Sequence, residues 1–145
     1  PGDIMESFLK NNISSVFYPL REASKQMISQ GNGRIITISS TTTAVHQEGT
    51  AIYSATKSAV TEMIKILAKE VSGRGITCNV IAPAMMKTGS SDDLAHSDEW
   101  EQAMLKKQTI ERVITMEEMC HVAEFLISPL SSAITGQVIY IGFVN

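Results

Sequence analysis

Three short runs of apolar and β-branched residues, separated by long helical patterns, constrain the fold of this 145-residue chain more than any other feature. The runs lie at 34–39, 76–82 and 136–142. They do not alternate between polar and apolar positions, which is typical of strands buried on both faces of a sheet. Strands of this kind that alternate with helices predict parallel pairing through right-handed crossovers. The expected fold class is therefore α/β with a doubly wound parallel sheet.

Helical patterns predict four helices, over 3–30, 50–71, about 100–106 and 115–128. Asp3 and Thr115 are each followed three residues later by Glu, which predicts a capping box at both positions. The segment 87–101 is polar and acidic, so we expect a solvated loop there. On the helix 50–71, apolar residues recur at intervals of three and four and share one face. They are Ile52, Ala55, Ala59, Met63, Leu67 and Val71.

Composition excludes several classes of function. The chain is 43% hydrophobic and 19% charged, with a net charge of -3, so nothing favours binding to nucleic acid or to an anionic membrane. No apolar run is long enough for a membrane span, and no signal peptide is visible at the start. Cys78 and Cys120 have no metal or redox spacing, and we expect both to be reduced, buried thiols in a cytoplasmic protein. No metal site is predicted.

Tyr53, Lys57 and Ser40 are the residues whose spacing indicates chemistry. Tyr53 and Lys57 are four residues apart on one helix and therefore share a face. Ser40 directly follows the first strand, at the edge where parallel α/β sheets bind ligands. A phenol ordinarily has a pKa of about 10, and an ammonium about 4 Å away contributes roughly 4 kcal/mol to stabilising its anion. Since these groups carry no electrons, a reduction needs a cofactor. A Tyr and a Lys four residues apart also occur by chance on helix surfaces.

Three motifs carry a resemblance to a known family. They are Ile38-Ser39-Ser40, Tyr53-Ser54-Ala55-Thr56-Lys57 and Asn79-Val80-Ile81-Ala82-Pro83. The chain resembles the short-chain dehydrogenase/reductase family over nearly its whole length. Within that family it is most similar to the β-ketoacyl-acyl-carrier-protein reductases. The resemblance implies a Rossmann-like sheet of which residues 1–145 supply the last three strands and the catalytic part. The dinucleotide-binding part, with its Gly-rich turn, is expected upstream; a genuinely short protein is the alternative.

The resemblance implies roles for particular residues. The implied catalytic residues are Asn12, Ser40, Tyr53 and Lys57. The implied cofactor-binding residues are Tyr53, Lys57, Pro83, Met86 and Thr88. The implied substrate-pocket residues are Ser40, His46, Ala84 and Met85. Ala84 stands where the family usually has Gly, which is tolerable if its φ is negative. The implied cofactor is NADP or NAD, with NADP preferred.

The resemblance also implies the reaction, which is the interconversion of a ketone and a secondary alcohol. A 3-oxoacyl thioester on an acidic carrier protein is the first expected substrate, with Arg74 as the docking charge. The acidic segment 92–101 would repel such a carrier. The alternatives are a dehydrogenase of a sugar, polyol or other small alcohol, and an inactive binding protein, scaffold or fragment. A homo-oligomer, dimer or tetramer, is expected, with contacts through Phe17, Leu20 and Met63.

Overall fold

A computed structural model describes residues 2–87 and 97–144 of the chain. The helices are α1 (Gly2–Phe8), α2 (Ser15–Gln30), α3 (Thr42–Val45), α4 (Ala51–Glu70), α5 (Asp98–Leu105) and α6 (Met116–Ile127). A π-helical turn (Leu9–Ser14) joins α1 to α2, and a 3₁₀ turn (Pro129–Ser131) follows α6. The strands are β1 (Gly33–Ile38), β2 (Ile76–Pro83) and β3 (Val138–Ile141).

The three strands form one parallel sheet in the order β1-β2-β3, which confirms the predicted fold class. Gly33 to Ile38 pair with Ile76 to Ile81. Val80 to Pro83 pair with Val138 to Ile141. The central strand β2 is buried at every position except Pro83, as its uniformly apolar sequence predicts.

Helices cover both faces of the sheet. On one face α4 packs over β1 and β2, and the core there contains Ile35, Ile64, Ala68, Val71, Ile76, Cys78 and Val80. On the other face α6 packs over the same strands around Ile81, Ala84, Ile114, Met119 and Leu126. Both layers leave the carboxyl ends of the strands open, where ligands of such sheets bind.

The buried face of α4 differs from the predicted apolar stripe. The helix buries Thr56, Val60, Thr61, Ile64 and Ala68. Most of the predicted stripe is only half-buried and Ala55 is exposed, because that face turns toward α2 rather than toward the sheet. Apolar periodicity alone does not distinguish these two faces of a helix that is apolar on more than one side.

Three further predictions need comment. Thr115 caps α6 in the predicted capping box with Glu118. The box predicted at Asp3 is wrong, because α1 already includes Gly2 and Asp3 lies within its first turn. Both cysteines are free, and Cys78 is buried, but Cys120 lies on an exposed face of α6. Within the described ranges, no helix has the length and apolar character needed to cross a bilayer.

The outer edge of β1 has no partner strand among the described residues. Ser39 and Thr41 donate their N–H groups to the carbonyls of Ile81 and Pro83 on β2. The peptide groups of the alternate residues, such as Arg34 and Ile36, therefore face away from β2. This edge is open to a further parallel strand.

Candidate active site

Helix α4 presents Tyr53 and Lys57 beside the carboxyl end of β1. The Lys57 Nζ lies 5.7 Å from the centroid of the Tyr53 ring. It donates a hydrogen bond of 3.1 Å to the carbonyl oxygen of Ile38, the last residue of β1. Burial lowers the pKa of Lys57, because a partly desolvated ammonium is less favourable than a hydrated one. The pair therefore places a poorly hydrated positive charge next to a phenol.

A buried hydroxyl pair fixes this part of α4 to the sheet. The side chain of Thr61 lies 2.9 Å from the Ser39 Oγ and 2.9 Å from the carbonyl oxygen of Lys57. The Ser39 Oγ is also 3.3 Å from that carbonyl. The end of β1 and the turn of α4 that carries Lys57 are thus held together by polar contacts in a dry environment. Sequence reasoning did not identify Ser39 or Thr61, since a buried Ser–Thr pair leaves no motif.

The Ser40 hydroxyl is oriented by its own loop. The Thr42 N–H donates a hydrogen bond of 3.2 Å to the Ser40 Oγ, and the Thr43 hydroxyl donates one of 2.9 Å to the Ser40 carbonyl. The Ser54 hydroxyl of α4 donates 3.3 Å to the Thr42 carbonyl, which ties the loop to the helix that carries Tyr53. The Ser40 oxygen accepts from Thr42, and a hydroxyl that accepts a hydrogen bond can still donate one. The Ser40 proton therefore remains available to a ligand within this part of the structure.

Asn12 lies in the π-helical turn, half-buried, and its side chain donates 3.3 Å to the Phe8 carbonyl. This turn packs against α4. The Phe8 ring meets the Tyr53 ring edge-on, with centroids 6.4 Å apart and an interplanar angle of 72°. Asn12 is therefore connected to Tyr53 through Phe8. Single π-helical turns inside α-helices are frequent at functional sites.

The segment after β2 lies beside the Ser40 loop. The Pro83 carbonyl accepts from Thr41, and Ala84 is buried. The Met85 N–H donates 2.6 Å to the Gln108 Oε1, and Met86 forms an isolated parallel bridge with Ile114.

His46 is the only described non-glycine residue with a positive φ, so Ala84 does not need the left-handed conformation. Thr88, predicted to bind cofactor, lies outside the described residues.

A cavity of about 130 Å³ opens between the Ser40 loop, the end of β2 and the chain after α5. Its lining residues are Ser40, Thr41, Thr42, Val45, Gln47, Ala84, Met85, Met104, Lys107, Gln108 and Phe143. Three of the four predicted pocket residues are among them. His46 is exposed at the end of α3 and does not line this cavity. The sequence held no signal for Lys107 or Gln108, because only the tertiary fold brings them to the Ser40 loop.

The predicted residues separate into two neighbouring groups. Tyr53 and Lys57 share α4, and Asn12 lies in the π-helical turn that packs against this helix, whereas Ser40 and Met85 line the cavity. Among the described residues no hydrogen bond joins the Tyr53 hydroxyl to Ser40.

The residues present fit the nicotinamide end of a dinucleotide. The Lys57 ammonium, at the carboxyl end of β1, is a donor suited to ribose hydroxyls, and the segment Pro83–Met86 borders the same edge of the sheet.

Comparison with known proteins agrees with this arrangement. A family model described as Enoyl-(Acyl carrier protein) reductase matches residues 2–142. The 3-oxoacyl-(acyl-carrier-protein) reductase of Buchnera aphidicola is 37% identical over 135 residues, which are 93% of this chain and 54% of that protein. The reductase of the same name from Staphylococcus aureus is 35% identical over 136 residues, which are 94% of this chain and 54% of that protein.

Solved structures show the same fold. A gluconate 5-dehydrogenase from Burkholderia cenocepacia, in complex with NADP and tartrate, has a TM-score of 0.91 at 27% identity. The match covers 97% of this chain and 55% of the dehydrogenase. An actinorhodin polyketide ketoreductase with NADPH has a TM-score of 0.79 at 28% identity, covering 90% of this chain and 54% of the ketoreductase.

A parallel sheet with a Tyr–Lys pair at its carboxyl edge defines the class, an α/β protein of the kind that binds ligands at that edge. Because the family model covers nearly all of it, the chain belongs to the short-chain dehydrogenase/reductase family. It spans about half the length of the curated relatives it matches.

Proposed function

We propose that this chain carries the catalytic part of an NADP- or NAD-dependent oxidoreductase that interconverts a ketone and a secondary alcohol. The observation that carries the proposal is the position of the Lys57 ammonium, 5.7 Å from the Tyr53 ring and bonded to the end of β1. The names of the relatives and the complexes of two similar structures with NADP and NADPH support it. The two free cysteines fit a cytoplasmic location.

Tyr53 is the proposed general acid in reduction and the general base in oxidation. In reduction its hydroxyl gives a proton to the carbonyl oxygen, and the Ser40 hydroxyl donates a hydrogen bond to the same oxygen. A nicotinamide cofactor held beside Lys57 would supply the hydride chemistry in both directions. With the 5.7 Å from the Lys57 Nζ to the Tyr53 ring centroid taken as the charge separation, and an effective dielectric of 20, the Lys57 charge stabilises a phenolate by about 3 kcal/mol. Asn12 is assigned, as the resemblance implies, to holding a water near Lys57.

The open edge of β1 supports a proposal about the whole domain. We infer that a parallel strand of a dinucleotide-binding part pairs with this edge and continues the sheet. The half-buried groove between α2 and β1, about 360 Å³ in volume, would then be filled by the adjoining helix or strand. Residues 1–145 would be the C-terminal catalytic part of one Rossmann-like domain.

Two substrate classes compete. The relatives called 3-oxoacyl-(acyl-carrier-protein) reductases favour a 3-oxoacyl thioester, and the gluconate 5-dehydrogenase favours a sugar acid or polyol. The expected docking charge Arg74 precedes β2, at the amino end of the sheet. Eight residues of strand place it about 26 Å from the carboxyl edge, so Arg74 does not support carrier docking beside this chain's own site.

Self-association is proposed through the outer faces of α2 and α4. An apolar groove of about 380 Å³ runs between these helices and includes Phe17, Leu20, Met63 and Ile66. Ile66 and Phe17 are 56% and 44% exposed and lie on the same groove, and a contiguous exposed apolar surface is typical of a contact site between proteins. Sedimentation of the full-length protein should show an oligomer that Ile66→Glu dissociates and the control Ile110→Glu, at an exposed position elsewhere, does not.

The proposed function is tested by measuring the oxidation of NADPH or NADH by the full-length protein with a panel of ketones. Lys57→Met should raise the KM for cofactor and lower kcat, since it removes the charge but keeps most of the side-chain volume. Lys65→Met is the matched control, because Lys65 lies on the same helix and is exposed in an ion pair with Glu62. Turnover unaffected by Lys57→Met, or absent with every ketone, would contradict the proposal.

A further inference from the structure

The cavity beside Ser40 holds one charged side chain. Of the described residues that line it, Lys107 alone is ionic. The polar remainder consists of hydroxyls and two amides, and the walls include the apolar side chains Val45, Met85, Met104 and Phe143. A ligand that fits this lining has an apolar body with a negative charge at one end.

Gln108 is not available to such a ligand. Its amide oxygen accepts from the Met85 N–H at 2.6 Å. Its amide nitrogen donates 3.0 Å to the Ile110 carbonyl and 2.9 Å to the Arg112 carbonyl. Both amide protons are therefore used, and Gln108 holds the segment after β2 in place.

The Thr42 hydroxyl has no hydrogen-bond partner among the described residues, and its Oγ1 is buried. A buried hydroxyl without a partner is costly, and in native proteins such a group usually has a functional or solvent partner. Since other atoms of Thr42 line the cavity next to Ser40, a rotation of this side chain would turn the hydroxyl toward a ligand oxygen there.

Lys107 likewise has no ion pair with another described residue. The ion pairs of the described residues involve Arg21, Lys25, Lys65, Lys87 and Arg112, but neither Lys106 nor Lys107. The acidic residues of α5 lie in its first turn, about 6 to 10 Å along the axis from its end at Leu105. Lys106 and Lys107 follow the C-terminus of α5, where the helix dipole stabilises positive charge. Of the two, only Lys107 lines the cavity.

We propose that Lys107 and Thr42 form a subsite for a carboxylate-bearing substrate, so that the ketone is a small oxo acid and the alcohol a small hydroxy acid. The proposal rests on the proposed function and narrows its substrate class. Lys107 binds the carboxylate, Thr42 donates to a ligand oxygen, and Ser40 receives the reacting carbonyl. The cavity, about 130 Å³ in volume, has room for a short acid.

A pair of probes that share one ketone, only one of which carries a negative charge, tests the subsite. The probes are acetoacetate and its methyl ester, which share the same ketone. In the full-length protein, Lys107→Gln should lower kcat/KM for acetoacetate about fivefold and leave the ester unchanged, as expected for a partly exposed charge pair. The matched control Lys106→Gln should change neither. If the ratio of kcat/KM for acetoacetate to kcat/KM for the ester were unchanged in Lys107→Gln, the proposal would be overturned.

Direct binding separates this proposal from the proposed function. The affinity for acetoacetate is measured by NMR titration of the wild-type protein and of both lysine variants. Binding that depends on Lys107, without reduction of any ketone, would contradict the oxidoreductase proposal and support the subsite. If acetoacetate bound the wild-type protein and Lys107→Gln with equal affinity, or did not bind, the subsite proposal would be overturned. Thr42→Val should weaken the binding of acetoacetate. It should also raise the melting temperature, because it removes an unsatisfied buried hydroxyl. If Thr42 had only a structural role, both the affinity and the melting temperature would fall.

Discussion

The hydroxyls of Ser39 and Thr61 make an asymmetric contact that predicts unequal effects of mutation. Three oxygen atoms form a triangle: the Thr61 Oγ1 is 2.9 Å from the Ser39 Oγ and 2.9 Å from the Lys57 carbonyl, while Ser39 is 3.3 Å from that carbonyl. Two hydroxyl protons serve these three contacts, so only two of them are hydrogen bonds at any time. Both side chains are buried, with 3% and 8% of their surface exposed.

Thr61→Val should destabilise the protein more than Ser39→Ala. Valine keeps the volume of Thr61 but leaves the Ser39 hydroxyl with only the long contact to Lys57, which costs about 1–2 kcal/mol. Ser39→Ala leaves Thr61 its shorter bond to the Lys57 carbonyl, so the loss is about 0.5–1 kcal/mol. The double variant should cost less than the sum, because no hydroxyl is then left without a partner.

Urea denaturation and thermal melting of the three variants measure these differences. For a chain of this size, 1 kcal/mol corresponds to about 3 °C in melting temperature. Thr37→Val is the control, since this half-buried threonine of β1 has no side-chain hydrogen bond in the described structure. A larger loss for Ser39→Ala than for Thr61→Val, or strictly additive losses, would refute the reasoning.

Three other perturbations have definite expected outcomes. Hydrogen bonds from Arg112 lower the pKa of Glu118 from 4.5 to about 2, so its stabilisation is present above about pH 4.5 and is lost as the pH falls toward 2. Glu118→Gln should therefore lower the urea midpoint at pH 7, and its deficit should shrink in acid. Burial raises the pKa of Cys78 to about 11, so iodoacetamide should label exposed Cys120 in the native protein and Cys78 only after unfolding. Gly142→Ala should lower the melting temperature markedly, because Gly142 has a φ of +79° and an added Cβ would meet another side-chain carbon at 2.8 Å.

The parts of the fold that depend on local sequence were predictable. Each strand follows from a run of apolar β-branched residues, and the start of α6 follows from the Thr115 capping box. The π-helical turn at Asn12 was not predictable, since helical periodicity is the same on both sides of it. That turn depends on packing against α4, which no local pattern records.

The candidate site also contains residues that the sequence predicted and residues that it did not. Ser40, Tyr53 and Lys57 stand in motifs with fixed spacing, and the sequence indicated their shared edge of the sheet. Lys107 reaches the cavity only through the path of the chain after α5. Its distance in sequence from Ser40 gives no hint of this, because long-range contacts are set by the packing of whole elements.

Replacement of Tyr53 by phenylalanine tests the central claim most directly, because it removes one oxygen atom and keeps the ring that packs against Phe8. Turnover of a ketone by the full-length protein is compared with that of Tyr18→Phe, a tyrosine 56% exposed on α2. Tyr53→Phe should lower kcat by about 10²–10⁴-fold, the usual contribution of general acid catalysis, with an unchanged melting temperature. Tyr18→Phe should retain full activity. Near-normal turnover in a folded Tyr53→Phe variant would contradict the assignment of Tyr53 as the proton donor.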